Sequence, residues 1–268
     1  MRWRAAHSSK LKGEAFMLYY TPVWIGIMAV IVLGKWYERF SSNDYLLTGL
    51  CLSLPCILVP LVLARSDPTE KHTPIFNRYI IKANIFIAII SYLGNHFYTH
   101  YFYKVLGMRY TGPLAEGKGW DINHVPASMY AMTHVYFMSY HVLVTPVLRA
   151  TNSLFTSRNL KLTSLVVVVC VVAFLTAFAE TLTISGFPYY TYPDFYQMLT
   201  KGSVFYCTFF VVTFPWFYRM DEDPTDLWPI GRVAMEALAA MMVVLLCADI
   251  WRLLIERFGS LPIDVPYA

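Results

Sequence analysis

Long apolar stretches recur along almost the whole chain, and they restrict its fold more than any other feature. The hydrocarbon core of a bilayer, ~30 Å thick, is crossed by about 20 apolar residues in an α-helix. Stretches of about this length lie near residues 16–36, 45–64, 79–103, 125–148, 162–184, 203–218 and 232–254. The sequence therefore predicts an all-α, polytopic membrane helix bundle with about seven transmembrane helices, within a range of about six to eight.

The overall composition and the connections between these stretches agree with a membrane bundle. Hydrophobic residues make up 57% of the chain and charged residues only 14%, whereas soluble domains carry about 25% charge. The connections are short and polar and leave no room for a soluble domain, so we predict a single integral membrane domain over residues 1–268. The net charge of +4 is spread over the connections, and without a basic stripe we expect no nucleic acid binding.

Five of the seven histidines lie between residues 96 and 141. Ionisable groups at membrane depth are costly and therefore often functional. Helical spacing defines two polar and aromatic faces: Tyr92, His96, His100 and Tyr103 on the third stretch, and Tyr130, His134, Phe137 and His141 on the fourth. We expect the two faces to meet across one pocket. The alternative for any single histidine is a structural hydrogen bond between helices.

One carboxylate is also placed deep in an apolar stretch. Glu180 follows FLTAFA and precedes TLTIS in the fifth stretch. A carboxyl group in apolar surroundings tends to keep its proton, which makes it a candidate proton donor. Its structural alternative is a buried glutamate that hydrogen-bonds to a neighbouring helix.

Three kinds of chemistry can use such a set of residues. The histidines lack the adjacent pair of membrane di-iron oxygenases, and we predict no metal site. A haem held by histidines of the third and fourth stretches would make the protein an electron carrier. Proton transfer on an apolar substrate without a cofactor needs an acid, a base and aromatic faces that stabilise a cation. Aromatic residues, at 17% of the chain, are abundant.

A specific resemblance favours the third chemistry. The segments SYLGNHFYTHYFYKVLG, INHVPASMYAMTHVYFMSYHV, AETLTISGFPYYTY, GSVFY and FPWFYRMDEDP follow one another in this order, with YTPVW and WYERF near the start. They resemble the cycloeucalenol cycloisomerases, the cyclopropyl sterol isomerases of plant sterol synthesis. The likeness extends from about Gly13 to about Arg257. One difference is the stretch TGPLAEGKGWDI between Tyr110 and Asn123, which is longer and richer in glycine than we expect in plant members.

The resemblance implies an isomerase that opens the 9β,19-cyclopropane ring of a 4α-methyl sterol, as in the conversion of cycloeucalenol to obtusifoliol. It implies no cofactor, a sterol in the lipid bilayer as substrate, and the endoplasmic reticulum membrane, or the inner membrane in a bacterium. A sterol-binding or transport protein without turnover is the remaining alternative.

Within this reaction each candidate residue has an expected role. Glu180 would donate the proton, and His100, His134 or His141 would accept the proton from C8 or orient Glu180. Candidates for binding the 3-hydroxyl group are Asn95, Thr99 and Asn123. Candidates for stabilising the cation are the aromatic rings of Phe97, Tyr101, Tyr130 and Phe137. Tyr92 and His96 are expected to contact the substrate from the same helix face.

Overall fold

Helices make up most of the protein. The computed structural model describes residues 1–257. The α-helices are α1 (Ser8–Leu33), α2 (Ser42–Ser53), α3 (Pro55–Leu63), α4 (Tyr79–Leu93), α5 (Thr99–Leu106), α6 (Ala127–Leu154), α7 (Arg158–Ile184), α8 (Phe195–Gln197), α9 (Ser203–Arg219) and α10 (Ile230–Arg257). The strands are β1 (Arg109–Tyr110), β2 (Asp121–Ile122), β3 (Val125–Pro126) and β4 (Tyr190–Thr191).

Within the described residues 1–257, six helical units are long and apolar enough to cross a bilayer. They comprise Ser8–Leu33, Ser42–Leu63, Tyr79–Leu106, Arg158–Ile184, Phe195–Arg219 and Ile230–Leu254. Each coincides with one of the apolar stretches of the sequence, so the prediction of an all-α polytopic membrane bundle is confirmed. The chain is an integral membrane protein.

The fourth predicted stretch corresponds to α6, which is long but more polar than the six spans. This helix packs against α1, α2, α4, α7 and α9. It lies at the centre of the bundle, where its polar side chains face other helices. Ser139, His141, Thr145 and Arg149 are all buried there. Protein partners satisfy these groups, so α6 does not need an apolar surface.

Local sequence explains where several helices begin and end. Ser41 accepts a hydrogen bond from the Asp44 backbone N–H, and Asp44 accepts one from the backbone N–H of Ser41, which is a capping box at the start of α2. Pro55 is the first residue of α3, a position where a missing N–H costs little. Gly107 ends α5 with φ at 65°, a left-handed conformation that favours glycine.

Two short π-helical segments interrupt the membrane helices. Gly94–Tyr98 joins α4 to α5, and Met198–Gly202 joins α8 to α9. The side chain of Leu106 lies against Gly202, so the two interrupted helices approach each other near these segments. Single π-helical turns are frequent at functional sites, and both segments contribute to a cavity described below.

Two loops close one end of the bundle. β1 pairs with β4, which joins the connection after α5 to the connection after α7. β2 pairs with β3 within the glycine-rich connection that precedes α6. The Thr111 backbone N–H also donates to the Tyr189 carbonyl oxygen at 3.0 Å. These pairings bring Leu114, Phe187 and Tyr190 over the helices.

The opposite end is held by buried charges. The Arg149 guanidinium group at the end of α6 bonds to Glu14 of α1 at 2.6 Å and to Glu222 after α9 at 2.7 Å. The Lys82 amino group of α4 bonds to the Asp221 carboxylate at 2.8 Å. Burial opposes ionisation of Glu222, but hydrogen bonds and positive charge from Arg149 and Lys10 lower its pKa. Mutual pairing keeps these groups charged away from water.

Candidate active site

A cavity of about 860 Å³ lies between α1, α2, α6 and α7. The loops that carry Leu114, Phe187 and Tyr190 cover one end of it. Most lining side chains are apolar, among them Trp24, Ile25, Met28, Val32, Leu143 and Leu175. This volume is near the upper end of the roughly 300–1,000 Å³ of small-molecule sites. The cavity is suited to a large, mostly apolar ligand.

Glu180 of α7 lies on the wall of this cavity. Across the part of the chain that the structure describes, it is the single cavity-lining residue that carries a carboxyl, imidazole, amino, guanidinium or thiol group. The Tyr206 hydroxyl of α9 donates to Glu180 Oε2 at 3.0 Å. Tyr140 of α6 lines the same cavity, with its hydroxyl close to the same carboxyl group. A hydroxyl donor from α9 therefore holds the single acid that the described residues place on the cavity wall, and a second hydroxyl lies nearby on α6.

Small residues on α7 bring these three helices together. Ala173, Ala177 and Thr181 repeat at helical spacing and are buried, and α7 packs mainly against α9 and α6. Small side chains allow membrane helices to approach closely. Glu180 follows Ala177 by three residues on this helix, and its hydrogen bond with Tyr206 places its carboxyl group where α7 meets α9, close to Tyr140 of α6.

A second, smaller cavity of about 80 Å³ shares Glu180 with the first. Asn95 and Met198, both from the π-helical segments, and Thr99 line it. Like Glu180, three other residues line both cavities: Met129, Thr133 and Tyr190. The two cavities thus both border Glu180.

Further aromatic hydroxyl groups lie on the cavity walls beyond Tyr206 and Tyr140. Tyr136 lines the large cavity, Tyr110 the small one and Tyr190 both. The Tyr190 hydroxyl donates to the Tyr110 oxygen at 3.1 Å. In the loops, burial raises the pKa of Tyr110 to about 12, and burial together with the neighbouring Tyr110 raises the pKa of Tyr190 well above its usual range. Both therefore keep their protons at neutral pH.

The three histidines proposed as bases lie away from both cavities. His134 Nε2 donates to Asn84 Oδ1 at 2.9 Å, between α6 and α4. His141 Nδ1 donates to the Phe137 carbonyl oxygen at 2.8 Å. In a neutral ring the other nitrogen, Nε2, is then an acceptor, and it accepts a hydrogen bond from the Thr213 hydroxyl at 2.9 Å. His100 Nε2 donates to the carbonyl oxygen of Asn123 at 3.0 Å. These contacts join helices and loops.

The residues predicted to bind substrate divide into two groups. Asn95, Thr99 and Phe137 line the smaller cavity. The others line neither cavity, namely Tyr92, His96, Phe97, Tyr101, Tyr130 and Asn123.

The two predicted helix faces do meet, but neither cavity lies between them. The rings of Tyr92 and Tyr130 are 5.4 Å apart, and Tyr92 stacks on His96 at 5.5 Å. The Asn123 side chain donates to the His96 carbonyl oxygen at 2.6 Å. These contacts fix the connection before α6 against the π-helical segment.

The sequence analysis missed Tyr136, Tyr140 and Tyr206. Tyr136 and Tyr140 are one turn apart on α6 and adjoin the histidine stripe. Their spacing is a signal for a shared face, but aromatic residues are so frequent in this chain that the spacing alone does not single them out. Their proximity to Glu180 arises from the packing of α6 and α9 against α7.

Several lining residues are also exposed on the apolar outside of the bundle. Ile25 on α1, Leu143 on α6 and Leu175 on α7 are 48%, 44% and 57% exposed. α1 and α7 both pack against α6, and Leu143 lies on α6 between them. The cavity therefore adjoins the surface that faces lipid.

Taken together, fold and site define an integral membrane protein with a lipid-facing apolar cavity and a single hydrogen-bonded acid. The chain is 38% identical to "Cycloeucalenol cycloisomerase" of Arabidopsis thaliana over 265 residues, which cover 97% of this chain and 91% of that protein. It belongs to the cycloeucalenol cycloisomerase family. No family model matches the chain. No solved structure matches it either.

Proposed function

We propose that this protein is a sterol isomerase that opens the 9β,19-cyclopropane ring of a 4α-methyl sterol and converts cycloeucalenol to obtusifoliol. The observation that carries the proposal is one carboxyl group, hydrogen-bonded by the Tyr206 hydroxyl, on the wall of a large apolar cavity. Membership of the family supports the same activity.

The bond changes define what the site must supply. A proton is added to C19 while the C9–C19 bond breaks, and C19 becomes a methyl group. Positive charge develops at C9, and loss of a proton from C8 leaves the Δ8 double bond. In this scheme Glu180 in its neutral form donates the proton to C19. No electrons or groups are exchanged, so the reaction needs no cofactor.

Aromatic rings at the cavity wall are placed to stabilise the cation. Tyr136, Tyr140 and Tyr190 line the cavity that Glu180 also lines. The face of an aromatic ring attracts positive charge, most strongly where water is excluded. We therefore assign to these tyrosines the role that the sequence suggested for Phe97, Tyr101, Tyr130 and Phe137.

The smaller cavity offers a position for the 3-hydroxyl group of the sterol. It is lined by Asn95 and Thr99 and shares Glu180 with the large cavity. The Asn95 amide donates to the Ser91 carbonyl oxygen at 2.8 Å, and its side-chain oxygen can accept a hydrogen bond from the sterol. We propose that ring A points toward the smaller cavity and the side chain of the sterol lies in the large one.

The substrate would reach the site from the bilayer, past the exposed apolar residues between α1 and α7. A sterol in the endoplasmic reticulum membrane would enter sideways and never cross water. We propose that membrane as the location in a eukaryotic cell, and the inner membrane in a bacterium.

Neither alternative from the sequence analysis is favoured by a specific contact. The ring nitrogens through which His134 and His141 would bind haem make hydrogen bonds to protein groups. A sterol carrier without turnover would not need an acid held by a hydroxyl donor on the cavity wall.

The test is to express the chain in yeast, which makes no cyclopropyl sterols, and to supply its membranes with cycloeucalenol. Gas chromatography with mass detection should show obtusifoliol. The Glu180→Gln variant should bind the sterol without converting it. The matched control is Glu236→Gln, the same change in α10, where Glu236 accepts from Trp216 Nε1 at 2.8 Å and lines neither cavity. Normal turnover by Glu180→Gln would refute the assignment of Glu180 as proton donor. If the folded wild-type protein leaves cycloeucalenol unchanged, the proposed activity is refuted.

A further inference from the structure

The reaction needs a proton donor at C19 and a proton acceptor at C8, and the two positions are neighbours. C19 bridges the β face of the ring system at C9 and C10. The hydrogen on C8 projects from the same face, next to C9. A single group above this face can therefore reach both C19 and the hydrogen on C8 without moving to the other side of the sterol.

The cavities supply one group that can serve. In the described residues 1–257, Glu180 is the sole carboxyl, imidazole or amine on the walls of either cavity. The histidines suggested as bases hydrogen-bond to Asn84, Thr213 and the backbone instead. A separate base would have to act from outside the space that holds the sterol.

The surroundings of Glu180 are suited to both of its protonation states. The Tyr206 hydroxyl donates to the carboxyl group at 3.0 Å, and the Tyr140 hydroxyl lies nearby on the cavity wall. Hydrogen bonds to a charged group are stronger than those to a neutral one, so this donor stabilises the carboxylate that forms when the proton leaves. The other ionisable groups that face Glu180 are phenols: Tyr136 on α6 and Tyr110 and Tyr190 in the loops. No described lysine or arginine pairs with Glu180, so nothing fixes it as a permanent anion.

From this geometry we infer that Glu180 is both the acid and the base of the isomerisation. Its O–H proton moves to C19 as the C9–C19 bond breaks, which leaves a carboxylate and a cation at C9. The carboxylate then takes the C8 proton, and the electrons of the C8–H bond form the Δ8 double bond. The carboxyl group ends protonated, ready for the next cycle, and the sterol is changed only in its bonds. Tyr140 and Tyr206 act as positioning residues. This inference rests on the proposed function.

The test uses the full chain in membranes, with cycloeucalenol that carries deuterium at C8, in ordinary water. A single carboxyl group passes the deuteron from one sterol to C19 of the next. The C19 methyl group of the product should then contain deuterium, and the fraction should rise with sterol concentration, because a new sterol enters before the carboxyl group exchanges with water. Mass spectrometry of fragments that contain C19 measures it.

The outcomes separate this inference from the proposed function. Obtusifoliol whose C19 methyl group acquires only water protons at every sterol concentration would overturn the inference and leave the isomerase activity intact. Absence of obtusifoliol would reject both.

The dependence of kcat/KM on pH gives a second measurement. A single carboxyl group must be protonated at the start of the cycle, so kcat/KM should fall with one limb as pH rises and should show no rising limb on the acid side. A rising limb would show that a second group must lose a proton first, and would also overturn the inference.

Discussion

Replacing Tyr206 with phenylalanine should slow the chemical step and leave binding almost unchanged. The variant removes the hydroxyl that lies 3.0 Å from Glu180 Oε2 and keeps the ring that packs against Phe209 and Phe210. The carboxylate formed during the reaction then loses this hydroxyl donor. Catalysis depends on interactions that are stronger in the transition state than in the ground state, and this hydrogen bond is one of them.

The size of the effect follows from the kind of hydrogen bond that is lost. A hydrogen bond to a charged group is worth about 1.5–3 kcal/mol, and each 1.36 kcal/mol changes a rate about tenfold. Because the Tyr140 hydroxyl stays close to the carboxyl group, we expect a loss at the lower end, roughly tenfold to thirtyfold in kcat, with KM within about twofold. Steady-state conversion of cycloeucalenol by membranes with equal amounts of enzyme measures both constants.

The matched control for this experiment is Tyr20→Phe. The Tyr20 hydroxyl donates to the Leu52 carbonyl oxygen at 2.7 Å, and the residue lines neither cavity. The Tyr20→Phe variant loses a hydroxyl of the same kind within the membrane, so its activity reports any general effect of such a loss on folding. A fall in kcat of less than threefold in Tyr206→Phe, or an equal fall in Tyr20→Phe, would refute the role of the hydroxyl.

Two further changes test the buried charges and the apolar wall. Arg149→Met should lower the free energy of unfolding in detergent by about 3–5 kcal/mol, because Glu14 and Glu222 lose their buried partner. An unchanged melting temperature would show that the network does not hold the bundle. Leu175→Trp should raise KM about tenfold or more, because the larger side chain fills the cavity and its opening. Leu182→Trp should leave KM unchanged, because Leu182 is similarly exposed on α7 but lies outside the cavity lining. Similar KM values for the two tryptophan variants would contradict the assignment of the cavity as the sterol site.

The sequence alone determined the membrane fold and singled out Glu180 as a candidate proton donor. Water-free surroundings force the backbone into helices, so each apolar stretch reports one helix before any packing is known. Glu180 could be recognised in the same way, because a carboxyl group inside an apolar stretch is rare and costly wherever the helix lies. Both inferences depend on properties of a single segment.

Only the tertiary structure decided which face of α6 meets the cavity. Helical spacing correctly placed His134, Phe137 and His141 on one face, but the same helix carries Tyr136 and Tyr140 on the face toward α1 and α7. Periodicity tells which side chains share a face, and it does not tell which neighbouring helix covers that face. The packing of α9 and α7 against α6 brings Tyr206 and Tyr140 to Glu180. Distances between segments that are far apart in the chain are set by this packing. The histidines could be predicted as a cluster because they lie close together in the sequence, whereas the tyrosines beside Glu180 could not, because they come from different helices than Glu180.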